Sequence, residues 1–277
     1  MNAVVAHRSP AVRAEVNYVV APRARLHSYE TAPPPGVAES NAAFALHTVA
    51  ISDVRSQRPL SLAADGAELV SRRTVLRHWD DADELRERYY PECAGLIRAA
   101  TGASEVVIFD HNVRHSDAGE GGDAYGRQRP VFHVHTDYTA RSARLRAETV
   151  LGRPLAAGQR FAAINLWRPL AGPLRDSPLA ICAADSVADR DLVPVELRYA
   201  DRTGEIYYLV YNPAHRWYYA SEMRPDEAWL FKNYDSDPRA VARYTPHSAF
   251  LDPTPHREVC PRESIEVRAI ALFDAAN

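Results

Sequence analysis

The second half of this 277-residue chain consists of short runs of β-branched, aromatic and aliphatic residues separated by turn-forming residues. In chain order the runs are "RFAAINLWRPL", "LAICAADSV", "VPVELRYA", "EIYYLVYN", "HRWYYA", "AWLFKNYDS", "HSAFLD" and "SIEVRAIALFD". Runs of this length and composition, bounded by turn signals, predict β-strands. A long series of short strands packs as a β-sandwich or jelly roll, so we predict a mainly β fold with flanking helices (α+β).

The first half contains one clear helical pattern, in "HWDDADELRERYYPECAGLIRAATGA". Asp80 or Asp81 can cap its start and Gly102 can end it. The following "SEVVIFDHNVR" predicts a short buried strand. The apolar positions that recur at helical spacing are Leu85, Tyr89, Cys93, Leu96 and Ile97.

We predict a single domain that spans residues 1–277 and has three parts. Residues 1–45 are rich in proline and alanine and predict an irregular lead-in that wraps over the body or pairs as an edge strand. Residues 111–130 include a glycine-rich polar loop, a candidate lid. Residues 131–274 contain the strand series and are the expected jelly-roll core.

Composition favours a soluble protein that does not bind nucleic acid. The formal net charge is −3, and the arginines are dispersed among acidic residues rather than gathered into a stripe. Cys93, Cys182 and Cys260 are too few and too far apart for a disulfide framework or a paired zinc motif. No apolar run has the length of a membrane span or a signal-peptide core. We therefore expect a cytoplasmic protein without membrane association.

The stretch "VFHVHTDYTARSARLR" places His133, His135 and Asp137 at alternate positions. Alternate residues of a strand point to one face, so His135 and Asp137 can reach a common metal ion. His247, in the later segment "RYTPHSAF", supplies a second imidazole. Two histidines and one carboxylate on one side of a metal suit Fe(II), leaving three positions for a cosubstrate and dioxygen. An arginine on the last strand can hold the far carboxylate of a 2-oxo acid.

These residues resemble the HxD…H…RxS signature of the Fe(II)/2-oxoglutarate-dependent oxygenases: His135-Thr136-Asp137, His247 and Arg262-Glu263-Ser264. The segments "HTDYT", "NLWRPLAGPLRDSPLAICAADSV", "YNPAHRWYY" and "FKNYDSD" are similar to a subgroup of bacterial and fungal natural-product tailoring oxygenases, of the cephamycin-methoxylase-like or gibberellin-desaturase-like type. The resemblance spans about residues 75–274. It implies a double-stranded β-helix, a cupin-like jelly roll, with iron between its sheets.

The resemblance also implies the site and the reaction. His135, Asp137 and His247 would hold Fe(II), and Arg262 with Ser264 would bind 2-oxoglutarate, with Arg268 as the reserve candidate. Dioxygen would then be used to hydroxylate, desaturate or cyclise a small-molecule natural-product intermediate at an unactivated C–H bond. The substrate, the choice among these outcomes and a homodimeric state stay open.

Three other functions compete. The first is a non-enzymatic jelly-roll metal-binding protein, and the second is an iron oxygenase that does not use 2-oxoglutarate. The third is a methyltransferase, which needs a glycine-rich loop that opens a helix. The cluster "GEGGDAYG" opens no helical pattern and therefore disfavours the third function.

Seven further residues are weaker candidates. His133 is expected beside the metal rather than on it, because a fourth protein ligand would occupy a position that the cosubstrate or oxygen needs. His215, among aromatic residues, is expected to be structural. Trp167 can pack in the core instead of lining a pocket. Arg168 can likewise be solvated, or take part in a buried salt bridge, instead of lining the pocket. The candidate substrate contacts are Tyr125, Tyr138, Asn165, Trp167 and Arg168.

Overall fold

The computed structural model describes residues 10–119, 122–123, 126–256 and 258–274. Its strands are β1 (Ala11–Val19), β2 (Leu26–Tyr29), β3 (Phe44–Asp53), β4 (Ala67–Ser71), β5 (Glu105–His115), β6 (His135–Thr136), β7 (Phe161–Pro169), β8 (Leu179–Cys182), β9 (Leu192–Arg198), β10 (Thr203–Leu209), β11 (Trp217–Tyr219), β12 (Glu227–Asp235), β13 (His247–Ala249) and β14 (Glu263–Leu272). Its helices are α1 (Ala82–Glu84), a π-helical turn (Leu85–Tyr89), α2 (Tyr90–Thr101) and α3 (Ala140–Leu151), with 3₁₀ turns at Val54–Ser56, Ala184–Ser186 and Asp189–Asp191.

The strands form two sheets. The larger has the order β1-β3-β11-β8-β13-β6-β10-β9-β2 and the smaller the order β4-β12-β7-β14-β5. Every strand-like segment of the second half contains one of these strands, so the predicted mainly β, jelly-roll architecture is confirmed. The predicted strand "SEVVIFDHNVR" is also present as β5, although it is longer and more exposed than expected.

The lead-in predicted for residues 1–45 is more regular than expected, and its strands take the edge position that was one of the two roles expected of it. Residues 11–19 and 26–29 are strands, and β1 and β2 form the two edges of the larger sheet. In β1 the alternate residues Val12, Ala14, Val16 and Tyr18 are buried against a cluster that includes Trp217. The apolar residues of β1 recur at every second position, a strand pattern that was obscured by the prolines that follow it.

The helix expected in residues 78–103 is present. Asp81 caps it, because its carboxylate accepts hydrogen bonds from the backbone of Asp83 and Glu84. Gly102 ends it in the left-handed conformation, with φ of 70°. The helix α3 was not predicted, although Thr139 and Ser142 form a capping box at its start and Gly152 ends it.

The two faces of the smaller sheet have different roles. Its outer face, with Ile164, Leu166, Leu230 and Val267, packs against α2. Its inner face, with Trp167, Trp229 and Phe231, packs against Leu179 and Ile181 of the larger sheet. The space between the sheets is therefore bounded by alternate residues of β7, β12 and β14. In the part of the chain that the structure describes, no helix is both long and apolar enough to cross a bilayer.

Candidate metal centre

His135, Asp137 and His247 meet between the two sheets. β6 and β13 are neighbours in the larger sheet, and His247 lies directly opposite His135. Asp137 follows β6 immediately. Nε2 of His135 lies 3.7 Å from Oδ1 of Asp137, and Nε2 of His247 lies 3.8 Å from the same oxygen. One candidate ligand atom from each residue lies within 4.8 Å of the others.

Backbone contacts orient both imidazoles. Nδ1 of His135 lies 2.9 Å from the carbonyl oxygen of His133, and Nδ1 of His247 lies 3.2 Å from that of Thr245. A carbonyl oxygen only accepts, so each Nδ1 carries the proton and each Nε2 keeps a lone pair for a metal. Burial lowers the pKa of His135 to about 4 and also lowers the pKa of His247. Both rings are therefore neutral near pH 7, as a metal ligand must be.

The carboxylate of Asp137 presents one oxygen to the imidazoles and has the other tied down. Its Oδ2 accepts hydrogen bonds from Nε of Arg268 at 3.0 Å, Nδ2 of Asn165 at 2.9 Å and Nδ2 of Asn233 at 3.3 Å. Burial raises the pKa of this carboxyl, but Arg268, His247 and His135 outweigh burial and hold the pKa well below its usual range. Asp137 is thus an anion with a single oxygen, Oδ1, directed at the metal position.

A bulge in β12 directs Asn233 to Asp137. The register between β12 and β7 shifts between Lys232 and Tyr234, which leaves Asn233 outside the regular pairing. Its Oδ1 accepts a hydrogen bond of 2.9 Å from the backbone N–H of Asp137. Bulges commonly re-aim a side chain beside an active site, and this one joins the smaller sheet to the end of β6.

The donor set fits a mononuclear iron site. Two neutral imidazole nitrogens and one carboxylate oxygen converge, which is the facial arrangement typical of non-haem Fe(II) and leaves coordination positions open. Within the described residues no other cluster of three or more His, Cys, Asp or Glu side chains has metal-binding geometry.

Arg262 and the two candidate imidazole ligands line one cavity. The cavity is lined by Arg262 together with His135, His247 and Trp167. Arg262 is 3% exposed, its Nε donates to Oγ of Ser264 at 2.9 Å, and its guanidinium lies 4.9 Å from the centre of the Trp167 ring. Burial, reinforced by the nearby positive charge of Arg114, lowers the pKa of Arg262 to about 9. No carboxylate forms an ion pair with Arg262 in the described part of the chain.

Arg268 has the opposite environment. Its guanidinium donates to the carboxylates of Asp137, Asp110 and Glu266 at 3.0 to 3.1 Å. Three acidic partners leave this cation little attraction for another anion. The geometry therefore favours Arg262 over Arg268 as the group that receives a free carboxylate.

The structure separates the weaker candidates. Asn165 binds Asp137, and Trp167 faces Arg262. Arg168 points to the other face of β7, where it is fully buried and pairs with Glu92 at 3.1 Å. Tyr138 packs in an apolar cluster with residues of α3, including Ala143 and Ala147. Tyr125 lies outside the described residues.

The two other candidate histidines, His133 and His215, lie apart from the proposed metal ligands. The ring of His133 packs against Phe44 and Tyr208, each with a centroid distance of 5.0 Å. His215 stacks on Tyr18, and its Nε2 lies 3.2 Å from the carboxylate of Asp191. Both positions agree with the structural roles expected of these rings.

Sequence reasoning missed Asn233 and Arg114. Arg114 lines the cavity beside Arg262, on a strand taken to be simply buried. A signal was present, because "FDHNVR" places Asp110, Asn112 and Arg114 at alternate positions and so predicts one polar face. Asn233 had no comparable signal, since a bulge is not visible in the pattern of residues.

The described part of the candidate lid is attached to the sheet. His115 and Gln128 are joined by a backbone hydrogen bond of 2.9 Å. Arg127 pairs with Asp123 at 2.6 Å and with Glu263, the neighbour of Arg262, at 2.9 Å. These contacts place the ends of the loop beside the cavity. Closure over a substrate stays a prediction.

Comparison with known proteins assigns the family. The model of an "Oxidoreductase/YMDC permease-like domain" matches residues 16–272. The Fe(II)/2-oxoglutarate-dependent dioxygenase nvfI of Aspergillus novofumigatus is 32% identical over 254 residues, which cover 88% of this chain and 90% of that protein. The chain belongs to the Fe(II)/2-oxoglutarate-dependent oxygenases. The hydroxylase/desaturase efuI of Hormonema carpetanum is 34% identical to this oxygenase over 252 residues, 82% of this chain and 83% of the relative.

The fold of this oxygenase matches a solved member of the family. The iron and alpha-ketoglutarate-dependent endoperoxidase NvfI superposes with a TM-score of 0.85 at 28% identity, covering 96% of this chain and 99% of the other. The predicted family, the jelly-roll fold and the dependence on Fe(II), 2-oxoglutarate and dioxygen are thereby confirmed. The protein is a dioxygenase of the kind that tailors natural products.

Proposed function

We propose that His135, Asp137 and His247 hold a single Fe(II), and that Arg262 and Ser264 bind the far carboxylate of 2-oxoglutarate. The observation that carries this proposal is the cavity itself. It is lined by both imidazoles and by a buried guanidinium that has no ion pair with a carboxylate among the described residues. A molecule with an oxo-acid group for the metal and a second carboxylate for the guanidinium would bind both.

When bound, iron would activate dioxygen as the oxidant, and 2-oxoglutarate would donate two electrons as it is converted to succinate and carbon dioxide. The protein supplies positions. Because Oδ2 of Asp137 is occupied by donors from Arg268, Asn165 and Asn233, the residue offers one oxygen and leaves room for the cosubstrate and oxygen. Trp167 closes one wall beside Arg262 and excludes water from the ion pair formed there.

The substrate we propose is a small natural-product intermediate that is hydroxylated or desaturated at a C–H bond. The names of relatives support this class: efuI and asaB are hydroxylase/desaturases, and asaB of Aspergillus flavus is 40% identical over 217 residues. The ligand set is the same for either outcome. The position of the substrate C–H bond relative to the metal therefore decides the product.

The test is the dependence of succinate formation on 2-oxoglutarate concentration, screened across natural-product intermediates and in their absence. Arg262→Ala removes a charge-assisted pair, and we expect about 2–4 kcal/mol of lost binding, roughly 30- to 1,000-fold in apparent affinity. The 2-oxoglutarate affinity of Arg262→Lys should lie between those of the parent and of Arg262→Ala. An ammonium keeps the charge but lacks the forked pair of donors of a guanidinium. Ser264→Ala should cost about 1 kcal/mol.

Arg268→Ala separates the two arginines. We expect it to weaken metal binding, because it removes one of the three donors to Oδ2 of Asp137 and the only charged one, rather than to act first on 2-oxoglutarate affinity. A normal curve for Arg262→Ala with a collapsed curve for Arg268→Ala would transfer the cosubstrate role to Arg268. Iron binding without 2-oxoglutarate turnover on any substrate would instead support a metal-binding protein.

A further inference from the structure

Three arginines lie in the strands of the smaller sheet, Arg262 directly precedes β14, and the four differ in their partners. Arg168 pairs with Glu92, and Arg268 contacts three carboxylates. Arg262 and Arg114 form no ion pair with any carboxylate in the described residues. Arg262 is buried and Arg114 is half-buried, and a cation withdrawn from water is normally paired because desolvation of an isolated charge is costly. Two guanidinium groups without an ion pair among the described residues therefore mark this cavity as a site for an anion.

The strand register brings Arg114 next to the motif of Arg262 and Ser264. Arg114 of β5 lies directly opposite Ser264 of β14. Side chains at opposite positions of an antiparallel pair project from the same face within about 5 Å of each other. Arg114 and Arg262 both line the cavity that contains His135. The two guanidinium groups and the hydroxyl thus approach one region.

The hydrogen bonds of Arg114 leave most of its guanidinium available. Its Nη1 donates to the backbone oxygen of Arg129 at 2.6 Å, and its Nε and Nη2 have no protein acceptor in the part of the chain described. The Arg129 contact fixes the side chain without neutralising it. Burial lowers the pKa of Arg114 and outweighs the opposing attraction of Glu266.

Ser264 completes the arrangement. Its Oγ accepts from Nε of Arg262, so its own hydrogen stays free to donate. A carboxylate has two oxygens and about four acceptor positions, enough for a hydroxyl and two guanidinium groups. Glu266, the nearest acid on the same face, is bound instead to Arg268.

We propose that Arg114 is a second arginine that binds the far carboxylate of 2-oxoglutarate, together with Arg262 and Ser264. This inference rests on the proposed function and adds a binding residue outside its sequence motif. It requires that the contribution of Arg114 depend on the presence of that carboxylate in the ligand.

The experiment compares two ligands by calorimetry on protein loaded with Zn(II), so that binding is measured without turnover. One ligand is 2-oxoglutarate, and the other is 2-oxopentanoate, which keeps the oxo-acid end and lacks the far carboxylate. We expect Arg114→Gln and Arg262→Gln each to weaken 2-oxoglutarate binding by about 10- to 100-fold. Both should leave 2-oxopentanoate binding within about threefold of the parent. Arg224→Gln is the matched control, since Arg224 is exposed and its one ion pair among the described residues is with nearby Asp226.

The outcomes separate this inference from the function on which it rests. If the parent protein does not bind 2-oxoglutarate, the proposed function fails. If Arg262→Gln weakens binding and Arg114→Gln does not, Arg114 has no such role and the proposed function stands. Equal weakening of both ligands by Arg114→Gln would also overturn the inference, because the effect would not depend on the far carboxylate. If Arg114→Gln does not fold, Arg114→Lys carries the test, with a smaller loss expected for 2-oxoglutarate alone.

Discussion

Asn233 forms two hydrogen bonds with Asp137: it accepts one from the backbone N–H and donates one to the carboxylate Oδ2. The two residues are 96 positions apart, and a bulge in β12 is what brings them together. The contact fixes both the position of Asp137 and the oxygen that it offers to a metal.

We expect Asn233→Ala to lower the affinity for Fe(II) by about 10- to 100-fold, the usual effect of removing a group that orients a metal ligand. Metal titration under anaerobic conditions measures it. The matched control is Asn212→Ala, because Asn212 also donates to a carboxylate, that of Asp191, away from the cavity. Equal metal affinity in the Asn233 and Asn212 variants would show that Asp137 needs no such support.

Gly66 supports His247 on the other side of the proposed metal site. Its carbonyl oxygen accepts from Oγ1 of Thr245, and the Thr245 carbonyl orients His247. Gly66 has φ of +82°, and a Cβ there would overlap Thr245 Oγ1. We expect Gly66→Ala to cost about 2–4 kcal/mol of unfolding free energy and to weaken metal binding.

Gly36→Ala separates backbone strain from this overlap, since Gly36 has φ of +79° with open space around its Cβ position. Its cost should be about 1 kcal/mol, with metal affinity unchanged. Urea unfolding and metal titration of both variants check the pair. Similar losses in the two variants would assign the whole effect to strain.

His133→Ala should keep its metal, because the contact that orients His135 comes from the backbone oxygen of His133 and not from its ring. The loss of packing against Phe44 and Tyr208 should cost about 1–2 kcal/mol of stability. Iron content per chain, with His135→Ala as the control that loses iron, is the measurement. If His133→Ala loses iron as completely as His135→Ala, the choice of ligands is wrong.

Buried His215 makes the stability of the metal-free protein sensitive to acid. Burial lowers its pKa, and Asp191 only partly opposes that effect. The unfolded chain therefore binds the extra proton first, so stability falls as the pH drops below about 6.5. His215→Asn should reduce this dependence by at most about 1.4 kcal/mol per pH unit. The unfolding free energy between pH 7.5 and 5.5 measures the difference, and an identical slope in both proteins would contradict it.

The sequence alone predicted β5, the strands of the second half, the first helix and the candidate ligands, because each depends on a local pattern. Alternation within a strand put His135 and Asp137 on one face, and Asp81 and Gly102 delimit a helix through contacts with adjacent turns. Local signals for α3 were also present in the sequence, but its start at Thr139 was not recognised beside a run of arginines.

Only the tertiary structure decided how the last strand's arginines divide their roles. Alternation places Arg262 and Arg268 on the same face, so spacing cannot distinguish them. Arg268 meets Asp137, which is 131 residues away, because β14 lies across the cavity from β6. Arg114 approaches Ser264 only through the register of β5. Such contacts depend on how distant strands pair and how two sheets pack, and a one-residue change in register would redirect every side chain involved.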